Sequence, residues 1–272
     1  VRGSVTECYG VASVRASVAI AIVLSVPDAT ETAEPVFRSD MTVELVRANA
    51  HDSDVLFAAR VSTQGEQTLE SAQDEELDAS RSAGLINYLM RDRHGSPFEH
   101  NSMTFYVQAP IFVFREFMRH RIASYNEESG RYRELKPVFY VPGPQRNLVQ
   151  VGKAGAYDFL PGSPEQSELA VAEGRRIATD AYASYQRQLE AGIAREVART
   201  VLPLSIYSSM YVTLNARSLM NFLSLRTKRE DTHFPSFPQR EIEMCAEQME
   251  SHFESLMPLT YAAFNKNGRV AP

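Results

Sequence analysis

The sequence predicts one α+β domain, in which helices and short strands follow one another without the regular βαβ rhythm of a doubly wound sheet. Two stretches alternate apolar and polar residues at strand period, Ser102 to Gln108 and Met210 to Leu214. Several others repeat apolar residues at helical spacing, with start or stop residues at their ends. A chain of 272 residues, 44% of them apolar, is long enough to bury one substantial core.

Residues 1–40 read differently from the rest. Val18 to Val26 (VAIAIVLSV) is an apolar run with Arg2 and Arg15 upstream. It is too short to span a membrane, and its basic start and apolar middle also fit an export signal. Because Met41 opens the well-patterned sequence, residues 1–40 are expected to be an N-terminal extension, disordered or upstream of the natural start. Residues 41–272 are expected to be the functional domain.

Met41 to Ala48 reads as a strand and Asp54 to Val61 as a short helix. Asp74 to Arg93 reads as a longer helix, with Leu77, Leu85, Tyr88 and Leu89 near helical spacing. In the strand that follows, Met103, Phe105 and Val107 share one face. Pro110 then opens a helix, a position that suits proline. Ile111, Phe114, Phe117 and Met118 form its apolar stripe, and Arg115 and Arg119, four apart, share the opposite side. Ser124 to Gly130 reads as an irregular loop.

Ser163-Pro-Glu-Gln166 has capping-box spacing. Ile177, Ala181, Tyr185 and Leu189 then step by four until Gly192 stops the helix. Ala194 to Leu202 is a shorter helix ended by Pro203. Ala216 to Arg226 follows the second strand as a helix. Pro238 to Leu256 is the last, with Ile242, Cys245, Met249, Phe253 and Leu256 on one face. Thr227 to Pro238 (TKREDTHFPSFP) is expected to be an exposed loop beside Arg226, a surface insertion or a lid.

The net charge is -6 and the pI about 5.6. That balance argues against a protein that coats nucleic acid, which needs broad basic surface. No membrane partner is expected. Cys8 and Cys245 make no disulfide framework, and no CxxC pair offers a zinc site, so a reducing cytoplasm fits best. Against this acidic background, RHRIASYNEESGRYRE gathers Arg119, Arg121, Arg131 and Arg133. Arginine presents a planar fork of donors suited to phosphate. Successive helical residues point about 100° apart. Arg119, His120 and Arg121 can therefore serve two ligands, or one long one, on either side of the helix end. Ser124, Asn126, Ser129 and Gly130 add hydroxyls, an amide and flexible backbone, which suit a nucleotide. The competing reading is a solvated basic patch paired with Glu127, Glu128 and Glu134.

The segment fits RHR-x7-S, with Ser129 as the final serine, and so resembles the signature of the flavin-dependent thymidylate synthases. HGSPFEH (His94 to His100), REVARTVLP (Arg195 to Pro203) and NARSLMNFLSLR (Asn215 to Arg226) are similar to three further blocks of that family, in the same order. The resemblance runs from Met41 to the C-terminus. It implies a fold of mixed helices and antiparallel strands, and reductive methylation of dUMP to dTMP. Methylenetetrahydrofolate would give the carbon, NADPH the electrons, and FAD would carry the hydride. It also implies a homotetramer with sites where subunits meet. The residues agree with a flavin-dependent rather than a thiolate chemistry: Cys8 lies in the extension, and Cys245 sits on the apolar stripe of the last helix, where a cysteine is an inert small hydrophobe.

By the same resemblance, Arg119, His120 and Arg121 would contact FAD, with Arg119 also reaching dUMP. Ser96 would touch the flavin, and Pro97 would fix its loop. Asn215, Ala216, Arg217 and Asn221 would hold FAD. Glu127, Glu128, Ser129, Gly130 and Arg131 would cradle dUMP, with Arg131 on the phosphate, Ser129 near the base and Glu127 also at the cofactor. Glu116, Phe117 and Met118 would lie along dUMP, and Arg199 and Arg226 would bind it. Arg226 is the expected activating group, its guanidinium stabilising charge that develops on the pyrimidine. His94 is expected near the flavin, and Glu99 to orient a neighbouring backbone group or arginine. Tyr125, Tyr132 and Tyr140 are expected to pack, or one of them to stack on a ring. Glu116 departs from the glutamine that similar chains often carry, and a carboxylate facing a phosphate needs a basic neighbour, Arg115 or another. The arginine cluster as a whole is read as the shared floor of both anionic ligands.

Overall fold

The computed structural model describes residues 34–65, 79–153 and 155–272. Its centre is a four-stranded antiparallel sheet in the order β2-β3-β8-β4, where β2 is Thr42–Asn49, β3 Ser102–Pro110, β4 Ser124–Glu127 and β8 Tyr207–Leu214. The two strands with the clearest alternation are neighbours, with Phe105 opposite Val212 and Val107 opposite Met210. Met103, Phe105 and Val107 are fully buried, and Met210, Val212 and Leu214 nearly so. One face of the sheet is therefore the floor of the core.

The core is roofed by helices. Here α1 is Asp52–Gln64, α2 Ala79–Arg91, α3 Ile111–Phe117, α6 Ala216–Arg226, α7 Arg240–Leu256 and α8 Pro258–Lys266. From α7, Ile242, Cys245, Met249 and Phe253 are fully buried against it, as the sequence stripe predicted. Burial pushes the Cys245 thiol well above its ordinary range, which keeps it protonated and unreactive.

A second, smaller core lies under α4 (Pro164–Glu190) and the short α5 (Arg195–Ala198), with Leu135, Phe139, Ala178, Tyr182, Tyr185 and Ile206. Ser163 caps α4 through the predicted capping box, and Gly192 ends the segment at φ 80°. The buried face differs from the expected one. Ile177 is 48% exposed, and Ala178 and Tyr182 point inward with Tyr185. Steps of four drift around a helix of 3.6 residues per turn, so Ile177 falls off the face.

Other differences follow from tertiary pairing. Ser124–Glu127, expected to be loop, is an edge strand on β8, with Tyr125 opposite Val212. Its polar composition carries no strand signal because one of its edges faces solvent. Short strands β1 (Val36–Arg38) and β5 (Val138–Tyr140) pair in parallel, and β6 (Val149–Lys153) and β7 (Ala156–Leu160) form a hairpin. Strand β1 lies inside the stretch expected to be N-terminal extension. Arg38 also donates to Gln108 and Asp40, so the domain begins before Met41. The expected start of the second helix, residues 74–78 with Leu77, lies outside the described residues; Leu85 and Leu89 belong to α2. The helix opened by Pro110 ends at Phe117, which leaves Met118 outside it and exposed.

Candidate active site

The RHR segment lies where α3 stops. Past Phe117 the chain turns: the His120 N–H donates to the Phe117 carbonyl at 2.9 Å. The Tyr125 hydroxyl, reaching back from β4, lies 2.8 Å from both the Phe117 and the His120 carbonyls. Its single proton is shared between these two carbonyls of the turn, which ties β4 to the end of α3. Burial raises the Tyr125 phenol to about 12 and keeps it a donor. Sequence reading gave Tyr125 a packing or ring-stacking role, not this hydrogen bond.

At this turn Arg119, His120, Arg121 and Ile122 form one wall of a cleft of about 510 Å³. Arg217, Ser218, Asn221 and Leu225 on α6, together with Arg93, Glu99, Ala271 and Pro272, line the rest of it. Residues from three separate motifs therefore meet here. Glu99 does orient an arginine: it pairs with Arg217, whose Nε donates to the main-chain oxygen of Pro272. The Arg217 guanidinium also lies across Gly95, where a Cβ would come within 2.6 Å of it. Arg93, Arg119 and Arg121 have no ion pair with a described residue. Arg93 and Pro272 were not foreseen. The adjacency of Arg93 to the HGSPFEH block was the available signal for the first, and nothing in the sequence pointed to the second.

Behind this wall stands Arg226, its side chain only 17% exposed. Nη1 forms an ion pair with Glu116 Oε2 at 2.7 Å, and Nε donates to His120 Nε2 at 3.0 Å. His120 must therefore be neutral, with its proton on Nδ1. Burial, and then the charge of Arg226, depress it from 6.5 to about 4. Its ring meets Phe222 edge-on at 4.8 Å, and Phe117 stacks on the same Phe222 at 5.0 Å.

Several expected ligand contacts have other work in this chain. The Phe117 side chain is fully buried and stacks on Phe222, so the side chain itself is core. The Asn215 side chain accepts from the Ser218 N–H as the cap of α6. Ala216 is fully buried, and its N–H donates to Asn101. Ser96 is exposed at the start of a single 3-10 turn (Ser96–Glu99) and does not line the cleft. His94 stacks on Tyr88 at 5.6 Å.

The second half of the arginine segment is not part of this cleft. An extended strand rises about 3.3 Å per residue, and β4 carries the chain away before Glu127. The expected shared floor is thus two regions within one chain. Glu127 and Glu128 border a shallow hollow of about 300 Å³ on the outer face of the sheet, with Tyr106 and Tyr211. Burial raises the Glu127 carboxyl, against the pull of Arg199. Gly130 is buried against Leu135 and Arg199, where a Cβ would meet side-chain carbons at 3.1 and 3.2 Å. Arg199 therefore lies beside this loop. Arg131 pairs with Glu196 at 2.8 Å, Arg133 with Glu128 at 2.9 Å, and the Ser129 hydroxyl accepts from the Arg131 N–H at 3.3 Å.

A further cavity of about 250 Å³ lies between the β6–β7 hairpin and the segment after Arg226, lined by Arg146, Lys228 and Arg240 among others. All three cations are paired, with Glu241, Asp158 and Glu243. It offers no free charge to a ligand. The expected loop at 227–238 is mostly exposed but tied down, by Arg229 to Glu250 and by the Ser236 hydroxyl to the Thr227 carbonyl. No helix among the described residues is long and apolar enough to cross a membrane, and no three described metal-ligating side chains cluster.

Comparison with known proteins bears on this geometry. The family model described as "Thymidylate synthase complementing protein" matches residues 44–259. The chain is 67% identical over 236 residues to a flavin-dependent thymidylate synthase of Streptomyces coelicolor, covering 86% of this chain and 95% of that one. It is 59% identical over 239 residues to one of Tropheryma whipplei, covering 88% and 98%. Its fold is similar to the crystal structure of PolB, a UMP/dUMP methylase from Streptomyces cacaoi bound with 5-Br dUMP. That similarity has a TM-score of 0.82 at 56% identity, over 87% of this chain and all of that one.

Proposed function

The chain belongs to the flavin-dependent thymidylate synthase family, and from that premise we propose that it converts dUMP to dTMP by reductive methylation. In this reading 5,10-methylenetetrahydrofolate supplies the carbon and NADPH the electrons, and FAD, once bound, supplies the hydride. The observation that carries it is the cleft where Arg119, Arg121 and Arg217 converge beside a held Arg226. Arg217 is held by Glu99, whereas Arg119 and Arg121 have no ion pair with a described residue; such unpaired cations on an otherwise acidic protein call for an anionic ligand, and the pyrophosphate of FAD fits them. Asn221, on the same helix face as Arg217, lines the cleft and adds an amide.

Arg226 has its Nε and Nη1 engaged by His120 and Glu116, which leaves Nη2 free of a described acceptor. Directed at the carbonyl edge of the uracil ring, Nη2 would stabilise the negative charge that develops when the ring attacks the methylene carbon. Arg131, Arg199 and the Glu127–Arg131 loop would hold the nucleotide. Because that loop stands apart from the cleft within one chain, the reading also calls for a homotetramer in which another subunit supplies one half of the site.

The decisive experiment is an anaerobic assay of the purified chain with dUMP, methylenetetrahydrofolate, NADPH and FAD, scoring dTMP. Product that depends on FAD is expected. Arg226→Ala should lower kcat about 10²-fold or more while leaving FAD bound; full turnover in that variant would refute the role given to Arg226. UMP is the competing acceptor, because the structurally similar PolB is a UMP/dUMP methylase. It belongs in a parallel assay, and a preference for UMP would replace dUMP as the substrate.

A further inference from the structure

We propose that Glu116 is a positioning residue for Arg226 and not a contact for the nucleotide. The inference rests on the activating role given to Arg226 above and deepens it. Arg226 ends α6 and is largely buried, and a guanidinium in that setting needs a counter-charge and hydrogen-bond acceptors. Glu116, in the last turn of α3, supplies the counter-charge at 2.7 Å, and His120 Nε2 supplies the acceptor at 3.0 Å. Arg115, the neighbouring cation, is exposed and takes no part. The basic partner that a carboxylate at this position requires is therefore Arg226.

The geometry makes the pair a clamp. Phe117 adjoins Glu116, and Phe222 lies one turn before Arg226 on α6. These two rings stack at 5.0 Å, which sets the distance between the helices that carry the ion pair. Neutral His120, braced edge-on against the same Phe222, accepts from Nε at 3.0 Å. With Nε and Nη1 both held, the guanidinium plane cannot turn about its last bonds, and Nη2 is the group left to act. Glu116 thus fixes which edge of Arg226 is presented. Because its charge is already met, the carboxylate would not repel a nucleotide phosphate.

A residue that orients the activating group acts in the transition state more than in binding. In the FAD-loaded enzyme, Glu116→Ala should lower kcat about 10-fold or more and leave the KM for dUMP within about threefold. Glu116→Gln keeps an oxygen acceptor for Nη1 and should recover most of the lost kcat. Flavin absorbance of each purified variant reports that its cleft is intact. Should Glu116→Ala fail to accumulate, Glu116→Gln carries the test with a modest fall in kcat and an unchanged KM. A raised KM with kcat intact, in either variant, would make Glu116 a nucleotide contact and overturn the proposal. Unchanged kcat and KM in Glu116→Ala would reduce the pair to a passive ion pair and also overturn it. Neither outcome touches the role of Arg226, which fails only if Arg226→Ala retains turnover.

Discussion

Arg119 and Arg121 face a cleft without partners, whereas Arg131 and Arg133, a few residues further along the same segment, each already hold a carboxylate. The two regions share a residue type and a stretch of sequence and differ in their electrostatics. In the cleft, like charges converge on an open volume, an arrangement that costs free energy until an anion arrives. On the loop after β4, each guanidinium is half exposed and already neutralised. An incoming phosphate there must compete with Glu196 or Glu128. Within one chain the cleft thus presents unpaired cations, while the arginines of the loop are held in ion pairs that an incoming anion would have to break.

The sharpest way to break this comparison is to empty the cleft. Replacing Arg119 and Arg121 together by Ala removes two charge-assisted contacts, each worth about 1.5–3 kcal/mol. FAD affinity should fall by about 10²-fold or more, measured by fluorescence titration of the apoprotein. Retained affinity would mean that these arginines are solvated surface. The loop should respond more weakly. Arg131→Ala is expected to raise the KM for dUMP about 10-fold, near the lower end for one charged contact, because the native arginine must first leave Glu196. Glu196→Ala, which removes only the resting partner, should leave that KM unchanged or lower it, and should shift stability by less than about 1 kcal/mol. If both variants raise the KM equally, the pair acts as one structural unit and Arg131 is no phosphate ligand.

Much of this was legible before the structure, and the remainder was not for definite reasons. The period-two pattern of Ser102–Gln108 and Met210–Leu214 marked β3 and β8 because one face of each is buried along its whole length. Strand β4 escaped because Ser, Tyr, Asn and Glu at an edge carry no apolar alternation; the pairing to β8 makes the strand. Helix α8 escaped because it follows α7 across Pro258 with no loop between. The apolar stripe marked Phe117 as a core candidate and Asn215 could be read as a cap, but the motifs read both as ligand contacts and the sequence could not choose between the two roles. Those roles depend on what stands opposite, Phe222 for the first and the Ser218 N–H for the second. The Glu116–Arg226 pair is likewise a product of packing between two helices far apart in sequence.

The smallest expected effect concerns the joint between the cleft and Arg226. His120 titrates at about 4 in the folded protein, against 6.5 for an unperturbed imidazole. Between those values the unfolded chain binds more protons at this residue than the folded one. Its contribution to stability is therefore complete above pH 6.5 and declines as pH falls toward 4. Protonation would also set a cation against the Arg226 Nε–H, so the clamp on the guanidinium should loosen over the same window. His120→Gln offers an oxygen to the same N–H and does not titrate. The melting temperature of the variant should fall less steeply between pH 6.5 and 4 than that of the native protein. Carboxylates such as Glu127, common to both proteins, drop out of that difference. Parallel curves would show that His120 is solvated enough to keep its ordinary titration, and the link between the cleft and the activating arginine would then have to run through Glu116 alone.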